Sequence, residues 1–366
     1  MGGIARWAKR LLWLLPGPLA LLALRVCARH PAWVEAWFSR RLYPLWATHL
    51  GKLAGLWERA LAERLLIAAV ACAGAMLLFR AAQSIVRFNA GPLLRCLYRL
   101  LWAAGALYAV FILTWGLHFA RMPFADAAGL QLRPAEKAEL SALCNALLDD
   151  ALSLRAQAQK EAKQEAQGAF SLPGSLDDLL RGIPAAYAAL ATDYPFLAGD
   201  YAPPKRAAFG QAFSEMRIMG IYIPFTGEAL VNPGIPASQL AHTAAHEAAH
   251  QRGIAREAEA DFVAYLACLA SNDASAAYSG TLTMLRYAAL SLCEADPEAY
   301  HALVARFSAG IARDYAQQID YWQRFDTTVA GLVNLTNERY LQTFAFKTGA
   351  VDLRSELVAL LLAYRR

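Results

Sequence analysis

Charge is scarce in this chain. Asp, Glu, Lys and Arg make up 18% of its 366 residues while apolar residues make up 57%, against about 25% charged in an ordinary soluble domain. That balance is too apolar for an ordinary soluble protein. The net charge of +5 gives no footprint for nucleic acid, because the basic excess flanks apolar runs, where membrane topology explains it. Cysteine is also sparse. Cys27, Cys72 and Cys96 lie in or beside those runs, and Cys144, Cys268 and Cys293 form an odd set, so no disulfide framework is expected. The patterns G-x-S-x-G, G-x-x-x-x-G-K-[ST] and G-x-G-x-x-G are missing, which leaves no signal for a serine nucleophile elbow, a P-loop or a dinucleotide fold.

What is abundant is long apolar sequence, and it is unevenly placed. Leu100 to Ala120 carries no formal charge over twenty-one residues, enough to cross a hydrocarbon core. Leu65 to Val86 is a second span, interrupted only by Arg80, and Leu11 to Ala28 a weaker third containing Pro16, Pro18 and Arg25. Arg25 and Arg29 crowd the place where a signal peptide would be cleaved, so a retained helix is expected. Three transmembrane helices (about 11–28, 65–86 and 100–120) thus define a membrane domain, residues 1–121, and the lipid bilayer is its expected partner. Basic residues cluster at Arg6, Lys9 and Arg10 and again at Arg80, Arg87, Arg95 and Arg99. The positive-inside tendency puts both clusters in the cytoplasm and residues 122–366 outside it, although the first loop is basic too. That loop interleaves Trp33, Trp37, Tyr43, Trp46 and Trp57 with charges, which fits either interfacial helices or a small packed cap.

The second domain reads as mainly α. Leu130 to about Gln167 has a leucine stripe at helical spacing, and Ser175 followed by Asp177 and Asp178 marks another helix start. Arg217 to Phe225 is the only convincing strand, and the pattern is helical again from Ser238.

Within that helical stretch lies His246-Glu247-Ala248-Ala249-His250, followed by Glu257-Ala258-Glu259-Ala260-Asp261. Residues four apart share a helix face, so His246 and His250 can offer two imidazoles to one ion, with Glu247 placed as a general base beside it. Gly253 can end that helix. A second helix would then bring back Glu257 as third ligand and Asp261 as acceptor for the far ring nitrogen of a ligand histidine. His242, one turn earlier, cannot join them, because ligands eight residues apart span about 12 Å; it is expected to pack or hydrogen-bond nearby.

H-E-x-x-H followed by E-x-x-x-D resembles the glutamate-ligand zinc peptidases, the gluzincins, with membrane-integrated CaaX prenyl endopeptidases as an analogy. The longer string His246 to Gly253, with Glu257, Glu259, Ala260 and Asp261, and the phrase Gly220 to Glu228, resemble an uncharacterised bacterial domain-of-unknown-function family with three transmembrane helices and an H-E-x-x-H-Q-x-G core. Arg256 stands where metzincins carry their third histidine, which argues against them. The resemblance implies a largely helical zincin-like domain with a small β element, in a multi-pass bacterial inner-membrane protein. It also implies that the strand Gly220, Ile221, Tyr222, Ile223 holds extended substrate; by sequence alone Tyr222, Thr226 and Glu228 are equally structural.

The expected function is a membrane-anchored zinc metallopeptidase, with Zn²⁺ on His246, His250 and Glu257, acting on peptide or membrane-proximal protein. The alternative is a non-catalytic scaffold or sensor with a structural or vestigial site. His301, Tyr321, Arg324, Arg339 and Tyr340 are candidates to stabilise an oxyanion, and spacing does not choose among them. His30, His49 and His118 read as structural. Substrate preference and oligomeric state are not encoded in any motif.

Overall fold

The computed structural model describes residues 15–163, 168–344 and 353–365. The chain is mainly helical with one small sheet. Among the described residues two helices are long and apolar enough to cross a membrane: α3 (Leu61–Val86) and α4 (Gly91–Thr114). Before them stand α1 (Pro16–Cys27), a π-helical run at Val34–Leu42, and α2 (Tyr43–Gly55).

Among the described residues two of the three expected spans are matched by such helices, and the first is represented by a shorter one. Helix α1 has 12 residues, about 18 Å of helix against a core of about 30 Å. It packs beside α4, with Gly17 3.7 Å or more from the Gly105 carbonyl and Tyr108 ring by way of an added methyl. Residues 11–14 of the expected span, and the basic cluster Arg6, Lys9 and Arg10, lie outside the described residues. The other boundaries also move. Helix α3 starts at Leu61. Helix α4 starts at Gly91, with Pro92 in its first turn, where a missing N–H costs nothing. It ends at Thr114, because Trp115 leaves helical geometry at φ −141°; Gly116–Ala120 forms a buried 3-10 turn instead of finishing a span.

The rest of the chain packs as helices: α5 (Lys137–Ala162), α6 (Leu176–Leu190), α7 (Ala237–Gln251), α8 (Glu257–Ala270), α9 (Ala274–Ala295), α10 (Pro297–Ala305), α11 (Ala309–Gln323), α12 (Thr328–Phe344) and α13 (Leu353–Arg365). Helix α5 begins later than its leucine stripe suggests. Glu136 and Glu139 form a capping box that fixes the start beyond Pro134, whose ring disfavours helix in the residue before it. Ser175 does cap α6, accepting from the Asp178 N–H.

The sheet has three strands in place of the one expected: β1 (Lys205–Arg206), β2 (Gly220–Ile223) and β3 (Glu228–Val231), in the order β1-β3-β2. Strand β3 pairs parallel to β1 and antiparallel to β2. It is buried at every position, so it lacks the alternation that marks a half-exposed strand. Strand β2 stands at the edge.

Helix α7 is central to the core. Its Ala241, Ala244, Ala245, Ala248 and Ala249 are all buried. Alanine favours helix and lets neighbouring backbones approach closely, and α8 and α9 pack directly on it. A second apolar cluster joins Leu24, Phe38, Tyr43, Ile112 and Trp115 to Tyr222, Ala229 and Ala255. The aromatic loop before α3 is therefore packed against the helical domain: Tyr43 Oη lies 2.9 Å from Tyr222 Oη and donates to the Gln251 carbonyl.

Candidate metal centre

Helix α7 ends in a way that aims its two motif histidines. Gly253, at φ +77°, donates to the His250 carbonyl at 2.9 Å, and Ile254 donates to the Ala249 carbonyl at 3.1 Å. This paired closure needs a left-handed residue just past the helix. Only glycine fits, since a Cβ there would lie 2.4 Å from the His118 ring. The chain then reverses into α8, whose first residue is Glu257.

The reversal brings His246, His250 and Glu257 together, with one ligand-type atom of each within 4.8 Å of the others. Nε2 of His246 lies 3.3 Å and Nε2 of His250 3.8 Å from Glu257 Oε2. Ligands around a tetrahedral zinc at bonds of about 2.1 Å stand about 3.4 Å apart, so the residues present fit such an ion. The opposite ring nitrogens are tied down. His246 Nδ1 donates to Asp261 Oδ1 at 2.7 Å, and His250 Nδ1 donates to the Ile254 carbonyl at 2.7 Å. Both bonds leave Nε2 facing Glu257, where the neutral ring presents the lone pair a metal requires.

Electrostatics reinforce the grouping. Burial disfavours charge on every member. The histidines nevertheless hold Glu257 and Asp261 below the usual carboxylate range, and the carboxylates in turn raise both histidines. Glu247 differs. Burial dominates there and pushes it up to about 7. Its carboxylate makes no hydrogen bond or ion pair among the described residues, and it faces strand β2, where a Cβ at Gly220 would lie 2.7 Å from Oε1.

The other sequence candidates separate by position. His242 packs against Asp261, its Nε2 3.2 Å from the Asp261 carbonyl oxygen, and burial pushes it down to about 4. Glu259 turns away to accept from the Phe124 N–H, and Arg256 reaches the carbonyls of Phe119 and Arg121. In β2, Tyr222 points inward to Tyr43 while Ile221 is exposed. Glu228 is structural, accepting from the Leu61 and Ala62 N–H groups and from Lys205. Tyr321 bonds Ser214 and His301 meets the Tyr300 ring edge-on; neither belongs to the histidine cluster, and Arg324 ends α11. The side chains of Arg339 and Tyr340 lie outside the described residues. His30 and His49 are exposed, and His118 is buried with its Nδ1 3.0 Å from Ser39 Oγ.

Two residues near the site were missed. The Asp261 carboxylate raises the pKa of the Tyr287 hydroxyl on α9, helped by burial. Trp115, the residue after α4, sets its ring 6.1 Å from that of His250 and donates from Nε1 to the His250 carbonyl at 3.3 Å. Both approach from far along the chain, and no local spacing announces either.

A family model described as Protein of unknown function (DUF3810) matches residues 38–362. No curated protein and no solved structure matches the chain.

Proposed function

This chain belongs to the family described as Protein of unknown function (DUF3810), and we propose that it is a membrane-anchored zinc-dependent metallopeptidase hydrolysing peptide or membrane-proximal protein substrates. The observation that carries this reading is the convergence of three ligand-type groups beside an unpaired, buried carboxylate. His246, His250 and Glu257 would hold Zn²⁺, and Asp261 would fix the orientation of His246. Zinc so held supplies a Lewis acid for a peptide carbonyl and lowers the pKa of water towards neutrality.

Glu247 would accept a proton from water and return it to the leaving amine. A base that titrates near the working pH does this best, and burial brings Glu247 into that range. The edge strand β2 runs past it with its outer edge unpaired among the described strands, so an extended peptide can add there by main-chain hydrogen bonds. Membrane proximity is supported by Trp115, whose ring lies 6.1 Å from that of a candidate ligand, His250, one residue beyond a candidate span. Phe225, just past β2, also faces Phe111 of that span at 6.5 Å. The helical domain would lie on the outer face of a bacterial inner membrane.

The scaffold or sensor reading calls for a closed, four-ligand structural site. Among the described residues the cluster has three ligands, and Glu247 beside them has no structural partner. Metal analysis of purified protein, paired with cleavage of a peptide library with and without chelator, tests the proposal. About one zinc per chain and chelator-sensitive cleavage are expected. Protein without zinc, or cleavage indifferent to chelation, would overturn it.

A further inference from the structure

Helices α9, α10 and α11 line a surface-open cavity of about 520 Å³ outside the histidine cluster, within the usual range for small-ligand pockets. Its walls are aromatic, from Tyr300, Phe307, Tyr315 and Trp322. Arg217 and Arg286 both line it. Arg217 is met by Asp326 at 3.5 Å, whereas Arg286 has no carboxylate within ion-pair distance among the described residues. The cavity thus offers an apolar body and one positive charge with no carboxylate partner among the described residues, its guanidinium 5.2 Å from the Tyr287 ring. That combination is complementary to an anion carried on a large apolar group.

Its place relative to the candidate centre narrows the ligand. Arg217 lies three residues before Gly220, the β2 residue that faces Glu247, at most about 10 Å of extended chain. Arg286 stands on α9, which packs directly on both α7 and α8. A peptide laid along β2 past Glu247 would therefore have its end within a few residues of the cavity. The exposed amide of Gln323 on the rim also matches peptide N–H and C=O groups, which a fatty acid lacks.

We propose that this cavity receives the C-terminal end of a peptide, with a large apolar last side chain between the aromatic walls and its free carboxylate on Arg286. The choice of a peptide rests on the metallopeptidase reading; the site itself does not. The test is calorimetric titration of full-length Glu247→Gln protein in nanodiscs of zwitterionic lipid, with N-acetyl-Leu-Phe as free acid and as C-terminal amide. The free acid should bind about tenfold tighter, the size expected for one charge-assisted hydrogen bond. Added Arg286→Gln should erase that preference and Arg286→Lys restore part of it, with zinc content unchanged in both. Equal binding of acid and amide, or a preference that survives Arg286→Gln, would overturn the proposal. Displacement of the peptide by dodecanoate at similar concentration would overturn the peptide assignment. Failure to find zinc would count against the peptidase reading alone, since the acid–amide comparison reads the cavity directly.

Discussion

Gly220 and Glu247 approach each other more closely than any other residue at position 220 would permit. A Cβ there would lie 2.6 Å from Glu247 Cγ and 2.9 Å from the Leu230 carbonyl oxygen. Helix α7 and the edge strand thus touch at the proposed base. Gly220→Ala should push the carboxylate aside while leaving the ligands in place. A displacement of about 1 Å at a reacting group can cost about a hundredfold in rate. Cleavage is expected to fall by about that factor with zinc content retained; a wild-type rate would show that the contact is incidental.

His246→Ala, His250→Ala and Glu257→Ala should each remove the metal, because two remaining ligands hold zinc poorly. Asp261→Asn should weaken zinc about tenfold to a hundredfold, the usual effect of losing the partner that orients a ligand histidine. Glu259→Ala and His242→Ala should keep it. Titration with a zinc-competing chelator ranks all six variants, and loss of metal from either of the last two would reassign the third ligand.

The motif itself was legible because its geometry is local. Helical spacing alone places His246 beside His250, Gly253 announces the helix end, and Glu257 and Asp261 follow at the same spacing. What spacing cannot carry is contact across the fold. Trp115 bonds a carbonyl 135 residues away, and Tyr287 arrives from a helix whose sequence shows only a core-facing pattern. Strand β3 was hidden by complete burial and β1 by its two-residue length. The apolar run to Ala120 overstated its span, because burial inside protein and burial in lipid select the same residues; Gly116 to Ala120 are covered by protein.

Glu35 should make the fold sensitive to acid. It is buried, which opposes its charge, but Arg121 binds it at 2.8 and 2.9 Å and Arg40 at 2.9 Å, so its folded pKa is lowered. A carboxylate with a lowered folded pKa stabilises fully above its unfolded value of about 4.3. That stabilisation is lost as pH falls through the folded value. Glu35→Gln should therefore cost about 3 kcal/mol at pH 7 and progressively less below about pH 4. Denaturant unfolding at both pH values checks it; a cost that does not shrink in acid would contradict the assignment.

Residues 122–366 are expected to face away from the cytoplasm, on the strength of the basic turn that joins α3 to α4 and carries Arg87, with Arg95 and Arg99 just beyond. A reporter active only outside the cytoplasm, fused after Arg366, should be active. Activity of a cytoplasmic reporter at the same point would invert the topology and leave the chemistry of the site untouched.

The most direct measurement compares wild type with Glu247→Gln for cleavage rate and zinc content on the same samples. The amide keeps the size of the carboxylate yet cannot hold the transferred proton, and losing a general base costs about a hundredfold to ten-thousandfold. The account predicts about one zinc per chain in both proteins and cleavage reduced by that range in the variant. Equal cleavage by both, with zinc bound, would contradict it.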